Sequence, residues 1–386
     1  MGREAVLETF ASTSSGADIA LIEGMMGLFD GASATSEEGS TAQIAKWLDA
    51  PVALVVDASG MARTLAAVVH GAATFDPELK LGAVLANRVG SRGHLDLLRQ
   101  AVSHPPVLGG LPNEPAFAFP ERHLGLITAS EESVPDRLLN EWGRKVQEWF
   151  DIDALLEVAR SAPVLFIPSL SAVSPAPVRC KIGYAYDAAF HFYYEDNLRR
   201  LRALGAELVP FSPINDSRLP EVDGLYFGGG YPEVHAVALA ANASMKAEIA
   251  LFAAAQKPIY AECGGLMYLS KGVRTLDGRV HEMAGLIHAI AILHDRLQAL
   301  GYVEVETTAP TLLGPAGLRF RGHQFRYSEL RFESEPQSRA YHLRSRLTGP
   351  VQHEGYRAGS VLASYVHAHW ASNPAAAEGF VKSCSR

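Results

Sequence analysis

The chain has 386 residues, enough for two domains that each bury a core of their own. A net charge of −8 without a long basic run excludes nucleic acid and an anionic membrane surface as partners, and 48% apolar with 20% charged residues is the balance of a soluble globular enzyme. Three scattered cysteines, Cys180, Cys263 and Cys384, exclude a disulfide framework or a CxxC metal site; the chain reads as cytoplasmic, without leader or membrane span.

In chain order, the pattern predicts a helix over Glu4–Ala11, a strand over Ile19–Ile22 running into the turn EGMMGLFDG, a helix over Thr41–Leu48 and a buried strand in PVALVVDAS. A helix over Arg63–Ala73, a strand in KLGAVLANRV, a helix around His94–Val102 and a short strand near Val107 follow. Alternating strands and helices argue for a mostly parallel sheet covered on both faces. Leu138–Val158 closes this domain as one or two helices, and the Pro- and Ser-rich run after it reads as a linker. A second alternation starts at Cys180: a strand in KIGYAYD, a helix over Tyr193–Leu204, strands in AELVPF and DGLYF, a helix over Val234–Gln256, then PIYAECGGLMYL. Beyond Leu269 the shorter, β-branched and aromatic runs read as an antiparallel extension of the sheet.

PIYAECGGLMYL is a strand, a tight turn and a helix, with the Cys263 thiol at the tip. Backbone N–H groups at a helix start can stabilise both a thiolate and an oxyanion, and Gly264 and Gly265 suit a turn that needs close approach and a positive φ. A buried structural cysteine is the plain alternative. His367 and His369, two apart in SYVHAHW, project from one face of a strand and offer a base for the thiol; a metal site completed by His323 or Glu329 is the other use of such a pair. Gly228, Gly229 and Gly230 end the strand DGLYF and expose backbone N–H groups suited to an oxyanion hole. Thiol, histidine and glycine turn together describe acyl transfer by a thiolate. In the amino-terminal half, Glu23 at the end of IALIEG and Asp30 seven residues on stand where carboxylates hold Mg²⁺ against a phosphate, and Asn87 ending GAVLAN could read a base edge. Capping or a solvated loop is the alternative for both acids.

The segments ALIEGMMGLFDG, VLANRVGS, AFHFYYEDNLRRL, GLYFGGGYPE, AECGGLMYL, GYVEVE, RGHQFRYSEL and SYVHAHWASNP together resemble the glutamine-dependent a,c-diamide synthases of cobyrinic and hydrogenobyrinic acid in cobalamin biosynthesis. The resemblance runs over nearly the whole chain. It implies an α/β protein of two domains: a dethiobiotin synthetase-like, P-loop NTPase-like parallel-sheet domain over 1–160, a linker over 161–178, and a class I glutamine amidotransferase domain over 179–386. It implies a carbon–nitrogen ligase in which Cys263 attacks L-glutamine, His367 activates the thiol in preference to His369, and Gly229, Gly230 and Gly264 serve the oxyanion and the glutamine. Ammonia then displaces phosphate from a macrocycle carboxylate activated by ATP and Mg²⁺, with the acidic pair Glu23 and Asp30 near the metal and the activated carboxylate, Glu23 as the metal ligand, and Asn87 at the adenine. The sister enzymes, cobyric acid synthase and the amidotransferase acting on nickel sirohydrochlorin, are the nearest alternatives, and RGHQFRYSEL favours the a,c-diamide branch. In one respect the chain departs from the family: it has no GxxxxGK[ST] phosphate loop, so tight ATP binding is not expected of it. Its first residues resemble the family after that loop, which implies a longer natural protein or a lost synthetase step, the first being favoured. A sheet lacking that strand would expose an apolar edge to a partner such as a second copy of the chain, a homodimer.

Overall fold

The computed structural model describes residues 1–115, 135–165, 177–334, 339–345 and 350–385. Most of the expected linker, 166–176, lies outside them. The chain divides into two compact units, one of Val6–Leu170 and one of Met1–Ala5 with Ser171–Arg386.

Helix α1 spans Arg3–Ser14 and α2 Thr41–Leu48, the latter capped by Ser40, whose hydroxyl accepts from the Gln43 N–H at 3.1 Å. Strands β1 (Val52–Asp57), β2 (Leu81–Val89) and β3 (Val107–Pro112) form a parallel sheet in that order, with α3 (Thr64–Phe75) and α4 (Arg92–Ala101) as the connections between them. Helices α5 (Asp136–Trp149) and α6 (Ile152–Arg160) follow. Leu65, Val69, Val84, Ala86, Leu95 and Leu98 form the core of this unit, as the alternation predicts. The strand expected over Ile19–Ile22 is not formed. No described strand pairs with that stretch, so its backbone groups have no ladder, and Leu21 stands 97% exposed.

In the second unit, β4 (Cys180–Ala185), β5 (Ala206–Phe211), β6 (Gly224–Phe227) and β7 (Ile259–Glu262) are parallel. They join β16 (Tyr356–Ala358) and β17 (Val361–Ser364) in a six-stranded sheet of order β16-β17-β7-β6-β4-β5. Helix α7 covers Glu195–Ala203. The single helix expected over Val234–Gln256 is two, α8 (Ala236–Ala241) and α9 (Ala243–Ala254), because the Asn242 side chain accepts from the Met245 N–H at 3.2 Å and starts a new helix there. Helix α10 is Gly264–Leu269 and α11 Ala375–Cys384. Of the strands after Leu269 only β17 and its antiparallel neighbour β16 extend the parallel sheet; the others form two further sheets. β8 (Ser270–Arg274), β9 (Val280–Glu282), β10 (Ile287–Leu293) and β13 (Ser328–Phe332) form a four-stranded sheet. β11 (Ala299–Thr307), β12 (Arg319–Arg326), β14 (Tyr341–Ser345), β15 (Gln352–Glu354) and β18 (His367–His369) form a five-stranded antiparallel one.

Side chains on the six-stranded sheet alternate between two cores. Leu225, Phe227, Ile259 and Ala261 pack on one face with Met245, Ile249 and Leu266, while Tyr226 and Tyr260 pack on the other with Leu201, Trp370 and Phe380. Sheet faces buried on both sides are what continuous apolar strands such as GLYF and IYA require.

Candidate active site

The elbow at Cys263 is built by backbone strain. The parallel strand β7 ends at Glu262, Cys263 takes φ +48 and ψ −102, and α10 begins at once with Gly264. A positive φ on a non-glycine residue is costly and must be held by its surroundings. Here the Cys263 N–H donates to the Ser364 carbonyl at 2.7 Å and the Gly265 N–H to the Gly228 carbonyl at 3.0 Å. The sequence pattern assigned the positive φ to the glycines; the structure places it on the nucleophile itself. Both glycines are required by close packing instead. A Cβ on Gly265 would lie 2.6 Å from the Phe227 carbonyl oxygen, and one on Gly264 3.0 Å from the Gly230 nitrogen.

Cys263 and His367 line one cavity of about 250 Å³, together with Phe192, Tyr194, Gly230, Tyr231, His323 and Phe325. His367 reaches it from the edge strand β18, where it pairs with His323 of β12, the two rings 6.0 Å apart. The His367 Cε1 lies against Gly229, where any Cβ would displace it. Burial, with His323 as a lesser cause, lowers the His367 pKa to about 4, and burial pushes the Cys263 thiol up to about 12, opposed in part by the Gly264 N–H and by Arg326. At neutral pH the pair is therefore thiol and neutral imidazole. His369 lies beside the cavity, its ring 4.5 Å from Tyr194 and its Nδ1 buried without a partner.

The glycine turn is corrected in one particular. The Gly229 N–H, expected to face the oxyanion, donates to the Phe192 carbonyl at 3.1 Å in a short antiparallel bridge. Gly230, at φ +152 and with no room for a Cβ beside the Ala189 carbonyl, turns the chain back toward Gly264. The Gly264 N–H is held against the Cys263 sulfur, and the Gly230 N–H donates to no backbone carbonyl among the described residues. Tyr193 fixes the start of the turn by accepting from the Gly228 N–H at 2.9 Å.

The metal alternative finds no support in placement. Glu329 sits on β13 beside His294 at 3.3 Å, in a different sheet from His323 and His367, and no cluster of three or more His, Cys, Asp or Glu able to hold a metal ion occurs among the described residues. In the other unit, Glu23 is exposed and lies on no strand, and Asp30 accepts from the Gly27 N–H at 3.2 Å, bracing its own turn. Asn87 is exposed near the carboxyl end of β2, opposite Asp57 of β1. Phe325 and Glu262, in the cavity wall, were not singled out from the sequence. No helix among the described residues is long and apolar enough to cross a membrane.

Residues 181–375 match the family model of the CobB/CobQ-like glutamine amidotransferase domain. The chain is 55% identical over its full length to a cobyrinate a,c-diamide synthase of Leptospira interrogans serogroup Icterohaemorrhagiae serovar copenhageni, spanning 85% of that protein. It is 46% identical to one of Syntrophotalea carbinolica, over 99% of this chain and 85% of that protein. A solved structure of PurLQS from Thermotoga maritima covers 53% of this chain, and this chain covers 99% of it, at 13% identity and a TM-score of 0.40. With a thiol at a strained elbow, a histidine on the same cavity and relatives that match this chain over all or nearly all of its length, the chain belongs to the cobyrinate a,c-diamide synthase family of glutamine-dependent ligases.

Proposed function

We propose that this chain hydrolyses L-glutamine at Cys263 and His367, and that the ammonia amidates the a and c carboxylates of cobyrinic or hydrogenobyrinic acid. The observation that carries the reading is the shared cavity of Cys263 and His367 in a chain this close to named synthases. His367 takes the thiol proton as Sγ attacks the carboxamide carbon, and the Gly230 and Gly264 N–H groups receive the oxyanion. The same histidine returns the proton to nitrogen as ammonia leaves. Water then opens the thioester to glutamate and restores the thiol. The names of the relatives favour the a,c-diamide reaction over the sister amidotransferases.

The amino-terminal unit, residues 1–160 in this reading, belongs to the synthetase step, where ATP with Mg²⁺ would supply carboxylate activation as an acyl phosphate. Among its residues Asn87 suits the adenine and Glu23 is an exposed carboxylate free to meet a cation, while Asp30 is engaged with its own turn. Mg²⁺ takes one or two carboxylates with phosphate oxygens supplying the rest, but the chain has no GxxxxGK[ST] to cradle those phosphates. The residues present thus fit the nucleotide only in part, and the glutaminase step stands without it. The test is glutamate and ammonia release by wild type and Cys263→Ala, followed by mass spectrometry of cobyrinic and hydrogenobyrinic acid after incubation with glutamine and ATP. Ammonia release that does not depend on Cys263 would refute the reading.

A further inference from the structure

The chemistry above makes no use of Glu262, the residue immediately before the nucleophile, although it is 1% exposed and carries a carboxylate. Strand alternation puts it on the face of β7 that Tyr260 occupies, where Tyr226 of β6 is paired with Tyr260. Its Oε1 accepts from the Tyr260 hydroxyl at 2.8 Å and from the Ala368 N–H at 3.0 Å, and its Oε2 accepts from the Tyr226 hydroxyl at 3.0 Å. Three donors converge on one buried carboxylate, and one of them belongs to another sheet.

That third donor matters because of where Ala368 lies. Strand β18 has three residues and, among the described strands, one neighbour, β12, so its outer edge has no ladder there. An edge of this kind leaves backbone groups to be satisfied by side chains. Glu262 takes the Ala368 N–H, while Asn197 of α7 donates to the Ala368 carbonyl at 2.7 Å and accepts from the Trp370 N–H at 2.9 Å. The peptide between His367 and His369 is therefore hung from two buried side chains, and one of these adjoins the thiol in the chain.

We propose that Glu262 is the positioning residue of the glutaminase site, fixing the strand that carries His367 relative to the elbow that carries Cys263. The proposal rests on the assignment of Cys263 and His367 as thiol and base. A purely structural acid would contribute to folding alone; a positioning acid acts on the reaction through His367. Carboxylate geometry suits the task, since only an acceptor-rich group can hold two hydroxyls and an amide at once.

The test is a double-mutant cycle on Cys263 reactivity, read as the rate of iodoacetamide alkylation of the Cys263 peptide by mass spectrometry, beside the kinetics of glutamine hydrolysis. Glu262→Gln keeps the shape and one carbonyl acceptor, and is expected to lower kcat about 10-fold with KM within about 2-fold. It should slow alkylation about 10-fold in wild type but less than about 2-fold in the His367→Ala background, because the effect is routed through that histidine. Tyr260→Phe, which removes a donor from the same Oε1 and keeps the ring, gives a second reading should Glu262→Gln fail to fold; a smaller loss, about 3-fold, with the same coupling is expected. Rates unaffected by either variant, or slowed equally with and without His367, would overturn the proposal. Should His367→Ala itself leave both hydrolysis and alkylation unchanged, the assignment of the base falls first, and the positioning role with it.

Discussion

Gly229→Ala tests the placement of the base more directly than deletion of the base does. The added methyl would overlap the His367 Cε1 and sit 3.1 Å from both the His367 Nδ1 and the Phe192 Cβ. Carbon contacts settle near 3.5–4.0 Å, so the imidazole must retreat by on the order of 1 Å. Displacement of that size at a reacting group costs about 10²-fold in rate. The side chain can move where the backbone cannot, so overpacking should cost stability at the low end of its range, about 1 kcal/mol, or a few degrees in melting temperature. The assay is steady-state glutamate release alongside a thermal melt. The expected result is a kcat loss of about 10²-fold in a protein that melts within a few degrees of wild type. Turnover within about 3-fold of wild type would mean that His367 does not work from the position it occupies against Gly229, or is not the base.

Cys263→Ala should abolish glutamine hydrolysis while leaving the fold intact; residual glutamate release near wild type would end the assignment of the nucleophile. His367→Ala is expected to lower glutaminase kcat by about 10²-fold or more, and His369→Ala, whose ring stacks beside Tyr194, by clearly less; the reverse order would exchange their roles. Glu262 also predicts a pH dependence of stability. Burial raises its folded pKa from 4.5 to about 7, so its protonated form is favoured on folding, and that contribution, full below 4.5, is lost as pH rises through 7. Glu262→Gln should therefore gain on wild type between these values, by up to about 3 kcal/mol in denaturant titrations at pH 8 compared with pH 4; parallel pH profiles for the two proteins would contradict it.

What the sequence made legible was what local pattern can carry. Alternating apolar runs gave both parallel sheets, and the two-residue spacing of His367 and His369 put both on one short strand, with His367 lining the thiol's cavity. Pairing between distant segments is not written in such patterns. IALIE has every local mark of a strand, yet a strand exists only against a neighbour, and no described strand pairs with it. The runs after Leu269 were recognisable as strands, but their assortment into two further sheets depends on registers such as His323 opposite His367, which no single segment specifies. Likewise the Gly228–Gly230 turn was visible, while the donation of the Gly229 N–H to Phe192 required the loop before α7 to be in place.

The site departs from local rules at two places, and both departures serve the same geometry. Cys263 holds a positive φ that a glycine would adopt without strain, and Glu262 buries an ionisable carboxyl where an apolar side chain would cost less. Either would be a defect in an ordinary strand-to-helix connection. Together they lift the thiol out of the six-stranded sheet, whose β17 receives the Cys263 N–H at the Ser364 carbonyl, and tether the edge of the five-stranded sheet through the Glu262 carboxyl on the Ala368 N–H. Cys263 and His367 stand on different sheets, joined by the pairing of β7 with β17 and the two residues that follow it, so the ladder fixes their separation only in part. The rest of the constraint comes from side chains and strained backbone at the crossing, which is why Glu262 and Cys263 are best read as a pair.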